Sequence, residues 1–163
     1  LNELEYQIRQ LHLGDRVTLT GRPLLQEDIP TFMRRGDIYC LPCVWASDGD
    51  VDVLPQMLME AMACGVPVVS TRLVGIPDLI LEGETGLLVE PNNTEDLANA
   101  LKRLIEDKPL RSSLSVNGRQ QVEDRFDLSS CLNPLFEKFT QSIQAYSPDK
   151  NSLNKTNAKG ISQ

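Results

Sequence analysis

Between Asp37 and Thr71 the chain reads DIYCLP, an acidic glycine-containing loop, LPQMLMEAMACG and VPVVST. A short apolar strand stopped by Pro42 thus leads through a loop into an apolar helix from about Pro55 to Cys64. That helix stops at Gly65, immediately before a Pro-Val-Val strand. Proline suits the first helical turn, which has spare N–H groups in any case. Short apolar strands alternating with helices imply an α/β fold, a parallel sheet with helices on both faces. In that architecture ligands bind at the carboxyl ends of the strands.

The same alternation extends on both sides. Leu1, Leu4, Ile8 and Leu11 share helical spacing over residues 1–12. RVTLTG then predicts a strand closed by Gly21, and LLQEDIPTFMRRGD an amphipathic helix ending near Gly36. After VPVVST come a turn and short helix in VGIPDLILEG and a strand in TGLLVE. NNTEDLANALKRLIED is a helix with Asn93 or Thr94 as cap and Leu97, Leu101, Leu104 and Ile105 on one face. Two further helices are expected over about 109–124 and 128–145. Residues 1–146 form the domain; the polar stretch 147–163 reads as a disordered tail. The carboxyl-end loops are then Thr20–Arg22, Pro42–Leu54, Ser70–Pro77 and the neighbourhood of Glu90.

The 163-residue length allows one domain with a substantial core. A net charge of -7 argues against broad nucleic-acid binding, which needs a basic face. A single phosphorylated small molecule is still compatible, because amides at a helix N-terminus can hold it. No apolar run approaches the roughly 18–20 residues of a membrane span, and no signal segment opens the chain. Its first residue is not Met and it starts directly on a helical pattern, which reads as a piece of a longer protein.

Cys40 and Cys43 form a literal C-x-x-C, but at a strand end and in a loop, where no helix dipole lowers a thiol pKa. They read as buried, reduced small hydrophobes, like Cys64 and Cys131. Asp48 and Asp50 read as a solvated loop, not a metal site. Arg22 and Arg72 are the basic residues of the predicted cleft loops. Glu60 is the anomaly: Leu58, Met59, Ala61, Met62 and Ala63 surround it in sequence. An ionised carboxylate buried there without partners would be costly, so a ligand or a partner is expected for it. Asp52 stands eight positions earlier, before the helix.

Taken together, the E-A-M-A-C-G-V-P-V-V-S-T run, the G-I-P-D turn and the T-G-L-L-V strand resemble the C-terminal half of a retaining glycosyltransferase of the GT-B fold, family 4 (group 1). The resemblance covers residues 13 to about 140, and the DGDVD loop is most similar to the exopolysaccharide and colanic-acid type. It implies an N-terminally incomplete, Rossmann-like C-terminal domain that holds the nucleotide-sugar donor, UDP- or GDP-linked. The implied reaction is transfer of a hexose to a saccharide or lipid-linked acceptor with retained configuration, in polysaccharide synthesis. No cofactor and no metal is implied. A cytoplasmic location, with loose peripheral membrane association where the acceptor is lipid-linked, follows from the same resemblance.

The family's E-x7-E motif falls on Asp52 and Glu60, the candidate catalytic residues. By resemblance Glu60 accepts from ribose hydroxyls and Asp52 faces the donor sugar. The candidate donor-binding residues are Val53 and Leu54, through their backbone N–H groups, with Ser70, Thr71, Gly75 and Gly21 lining the cleft. Two departures stand out. The family usually has Glu-Gly where this chain has Asp52 and Val53: Asp is about 1.5 Å shorter, and Val adds a side chain where glycine lets a ligand approach the backbone. The upstream Arg and Lys that bind diphosphate in the family have no counterpart here, nor does the acceptor domain, so the chain alone is expected to be inactive. The competing expectations are an inactive nucleotide-sugar-binding module, a sugar-nucleotide 2-epimerase fragment and a purely structural flavodoxin-like domain.

Overall fold

The computed structural model describes residues 2–146. The expected tail, 147–163, lies outside the described residues. Three parallel strands, β1 (Tyr39–Leu41), β2 (Val68–Thr71) and β3 (Leu87–Val89), lie side by side in chain order. Tyr39 pairs with Val68 and Val69 with Leu87, so all three strands end together. Helices α3 (Gln56–Ala63) and α4 (Ile76–Leu79) connect them.

Period-2 alternation divides the core between the two faces. Val68 and Leu88 join the cluster containing Met33, Leu58, Ala61, Met62, Ile76 and Leu79. Val69 and Leu87 face the other way, onto Leu104 of α5 (Thr94–Glu106) and Leu114 of α6 (Lys108–Arg125). Helices therefore cover both faces, as the alternation predicts.

The turns follow from local chemistry. Helix α3 ends in a Schellman arrangement: Gly65, at φ +72, donates to Met62 O at 2.9 Å, and Val66 N donates to Ala61 O at 3.0 Å. Asn93 caps α5 by accepting from Asp96 N at 3.1 Å, and Asp107 caps α6 by accepting from Leu110 N at 2.9 Å. Helix α6 lies close against α3 and the turn before β3: a Cβ on Gly118 would meet Met62 Cε at 3.5 Å and Thr85 O at 2.9 Å.

Two expectations change. Residues 16–21 form no strand; among them only Leu19 is even half-buried. An extended segment becomes a strand when a neighbour's ladder receives it, and among the described residues β1 pairs only with β2. The helix expected over 24–37 is shorter: a 3-10 turn at Gln26–Asp28, then α2 (Ile29–Met33) with Pro30 in its first turn. Helices α1 (Asn2–Gln10) and α7 (Leu128–Ala145) form where expected, and neither contains a buried residue.

Candidate functional site

The carboxyl ends of the strands carry three of the four predicted loops. Ser70 and Thr71, the last residues of β2, are 0% and 2% exposed. The Ser70 hydroxyl donates to Leu41 O at 2.7 Å, and the Thr71 hydroxyl to Cys43 O at 2.6 Å. A hydroxyl has one proton to give, so neither is left to donate to a ligand. Both bind the chain leaving β1 to β2 and fix the floor of the site.

Above that floor lies the acidic loop. Gly49, at φ +87, turns it, with Ala46 N donating to Asp50 O at 2.9 Å. Asp48 and Asp50 accept from Asp50 N and Val51 N at 3.1 and 2.9 Å, so their carboxylates cap the loop's own backbone. Asp52 and Val53 are exposed and Leu54 is half-buried. Val53 O accepts from Gly75 N at 3.0 Å, joining this loop to the start of α4. A Cβ at Gly75 would come within 2.9 Å of the same oxygen, so Gly75 is required there for close approach. Beside it Val74 has φ +44, a conformation unfavourable for a β-branched residue and of the kind that concentrates at binding sites.

Asp52 acts on Cys43 from across this gap. Burial first, then the Asp52 charge, pushes the Cys43 thiol up. Burial likewise raises Cys40. Cys40 packs on one face of the sheet and Cys43 on the other. All four cysteines are free, and a thiol raised in this way is a poor nucleophile.

Glu60 is the fifth residue of α3, about 6 Å along the axis from Gln56. The Gln56 amide Nε2 donates to its Oε1 at 3.1 Å. Its Oε2 is buried and has no hydrogen-bond partner among the described residues. Leaving a buried acceptor unmade costs about 1–3 kcal/mol, more when it is charged. Tyr39 lies nearby: burial, then Cys43, Glu60 and Cys40, raise its phenol. Gln56 is absent from the sequence-derived set; its i,i+4 spacing to Glu60 is the signal that marks it.

The remaining expected residues divide. Gly21, at φ +64, stands apart in open space, with nothing within 4 Å of where a Cβ would lie. Arg72 forms an exposed ion pair with Glu90 at 3.4 Å. Thr71 and Glu90 border an open pocket of about 190 Å³ also lined by Pro42, Val44 and the first turn of α5.

The profile described as "Glycosyl transferases group 1" matches residues 1–121. The chain belongs to the group 1 glycosyltransferases. It is 37% identical over 126 residues to the amylovoran biosynthesis glycosyltransferase AmsK of Erwinia amylovora, covering 77% of this chain and 30% of that protein. It is 34% identical over 138 residues to the putative colanic acid biosynthesis glycosyltransferase WcaL of Salmonella typhimurium, covering 83% and 33%. The chain therefore spans about a third of the length of these relatives.

Among solved structures, the C-terminal domain of the group 1 glycosyl transferase LpcC of Francisella tularensis superposes with a TM-score of 0.68 at 28% identity, covering 78% of this chain and 62% of that one. Anabaena Alr3699/HepE in complex with UDP-glucose gives 0.73 at 28%, covering 86% and 36%. The architecture is that of the C-terminal, donor-binding domain of GT-B glycosyltransferases, with polysaccharide-synthesis enzymes among its relatives. Among the described residues no helix is long and apolar enough to cross a membrane.

Proposed function

We propose that the protein carrying this chain is a retaining glycosyltransferase that moves a hexose from a nucleoside diphosphate sugar to a saccharide or lipid-linked acceptor in polysaccharide synthesis. The chain supplies the donor half of its cleft, and the rest of the protein supplies the acceptor half. The observation that carries this reading is Glu60: a carboxylate oxygen buried without a hydrogen-bond partner among the described residues, one turn into the helix that leads off from the strand ends where such folds take ligands. A rotamer change that turns this carboxylate to the cleft lets a ribose hydroxyl donate to it and meets that need. Charge-assisted bonds of this kind contribute about 1.5–3 kcal/mol each. Asp52 faces the donor sugar from the loop above, and the N–H groups of Val53 and Leu54, before the uncapped start of α3, meet its hydroxyls or the diphosphate.

Gly75 keeps the loop carrying Asp52 close to α4, and Ser70 and Thr71 act from beneath by holding the floor. The UDP-glucose bound to the Anabaena relative supports a UDP-linked donor, with GDP as the alternative base. Diphosphate charge that forms on the leaving group is stabilised by protein donors, without a metal. A second reading, an inactive nucleotide-sugar-binding module, is favoured by the Val53 side chain, which is 55% exposed where a ligand would approach the backbone.

Calorimetric titration of UDP and then GDP into the full-length protein, with Glu60→Ala beside it, tests the assignment. Saturable binding that the variant loses supports it; binding the variant keeps removes Glu60 from the site. Turnover then separates the two readings. In an active transferase, Asp52→Asn lowers kcat more than donor affinity.

A further inference from the structure

We propose that the pocket where the three strands end is a subsite for one neutral sugar ring of the acceptor, its C–H face on apolar walls and its hydroxyls on Glu90. This rests on the transferase reading given above and adds to it where the acceptor's sugar sits. Pro42 directly follows β1, Thr71 ends β2 and Val89 ends β3, and all three line the pocket. Ligands of parallel α/β folds bind at this end of the sheet. Apart from Thr71, whose hydroxyl is spent on Cys43 O, no lining residue belongs to the donor set.

The lining is divided by chemistry. Val44, Val89 and Leu97 supply apolar wall, and Val44 is 45% exposed to solvent. Covering such surface with C–H groups is favourable in proportion to the apolar area removed from water. Glu90, Asn92 and Thr94 line the pocket from exposed positions. A carboxylate only accepts, whereas an amide and a hydroxyl both donate and accept, a set that suits hydroxyl groups. At about 190 Å³ the pocket is smaller than the about 300–1,000 Å³ of a site for a drug-sized ligand, and suits a single ring.

The same residues disfavour an anion. Among the described residues none of those lining the pocket is a cation, and Arg72 is already paired with Glu90 at 3.4 Å. The start of α5 would otherwise attract phosphate. Asn93 occupies it, accepting from Asp96 N at 3.1 Å and donating to the Asp96 carboxylate at 2.6 Å. An alkyl chain would use the apolar walls and none of the polar groups. A neutral ring carrying hydroxyls uses both.

Saturation-transfer NMR on the full-length protein tests this, with the methyl glycosides of glucose, galactose and mannose as probes and UDP present. Wild type, Glu90→Ala and Val44→Trp, which fills the pocket from an exposed position, are compared, each checked for unchanged thermal unfolding and UDP affinity. At least one glycoside should receive transfer, strongest at its ring C–H protons. Val44→Trp should abolish that signal, and Glu90→Ala should weaken glycoside affinity about tenfold. No transfer to any glycoside, binding unchanged by either substitution, or displacement by inorganic phosphate would overturn the subsite while leaving the donor reading intact. Loss of UDP binding in folded Val44→Trp would overturn it too, by giving the pocket to the nucleotide. If UDP fails to bind the folded wild type, the transferase reading falls and the acceptor subsite with it.

Discussion

Strand β2, whose Val68 packs with Ile76 and Leu79 of α4, and the loop from Asp48 to Leu54, whose Val53 O accepts from Gly75 N, are built in opposite ways. All four residues of β2 are buried, and both of its terminal hydroxyls are engaged by backbone carbonyls. The loop is acidic and largely exposed. Its hydrogen bonds are mostly to itself; among the described residues Val53 O accepts from Gly75 N, and Val51 and Leu54 pack on the core. The contrast shows that residue types suited to a ligand are not thereby free for one. Ser70 and Thr71 hold the floor, while Asp52 stands open on the rim and one buried oxygen of Glu60, between rim and floor, lacks a partner among the described residues.

Breaking the floor should have the largest effect. Leu58 is 0% exposed beneath β2 and α4, so Leu58→Ala should destabilise the protein by about 2–5 kcal/mol in chemical denaturation. Glu60→Ala should leave folding nearly intact and weaken donor binding by about 1.5–3 kcal/mol. Equal loss of stability and affinity would make Glu60 part of the floor instead. Gly75→Ala places a Cβ 2.9 Å from Val53 O. It should cost about 1–3 kcal/mol of stability and displace Asp52, read as a drop in turnover exceeding that in nucleotide affinity.

Finer tests sharpen the same contrast. Thr71→Val leaves Cys43 O without its donor and should cost about 1–3 kcal/mol in stability, measured by the unfolding midpoint. The expected pH effect is smaller still. Cys40, Cys43 and Tyr39 all have folded-state values above their ordinary 9.0 or 10.0. For a raised group, stability is fully present below the unfolded value and falls as pH rises through the folded one. Stability should therefore be flat up to about pH 9 and decline beyond it, seen by denaturation at stepped pH.

Much of this was legible in the sequence where local signals and tertiary packing agree. The Pro55-to-Gly65 helix, the VVST strand and the Asn93-capped helix appear within a residue or two of their expected bounds, because caps, breakers and apolar pattern all point the same way. RVTLT carries an equally good strand pattern and forms none, because a strand depends on a neighbour that local residues do not specify. Glu60 was legible from its apolar surroundings. The commitment of the Ser70 and Thr71 hydroxyls was not, since their acceptors lie 29 and 28 residues away. The separation of Gly21 from the rest has the same origin: its loop was expected at a strand end, and that strand is absent.

The most direct test is a crystal structure of the full-length protein with UDP bound. A ribose hydroxyl at about 2.6 Å from a carboxylate oxygen of Glu60 is the predicted result. A nucleotide bound elsewhere, with Oε2 as unpartnered as before, would contradict the account.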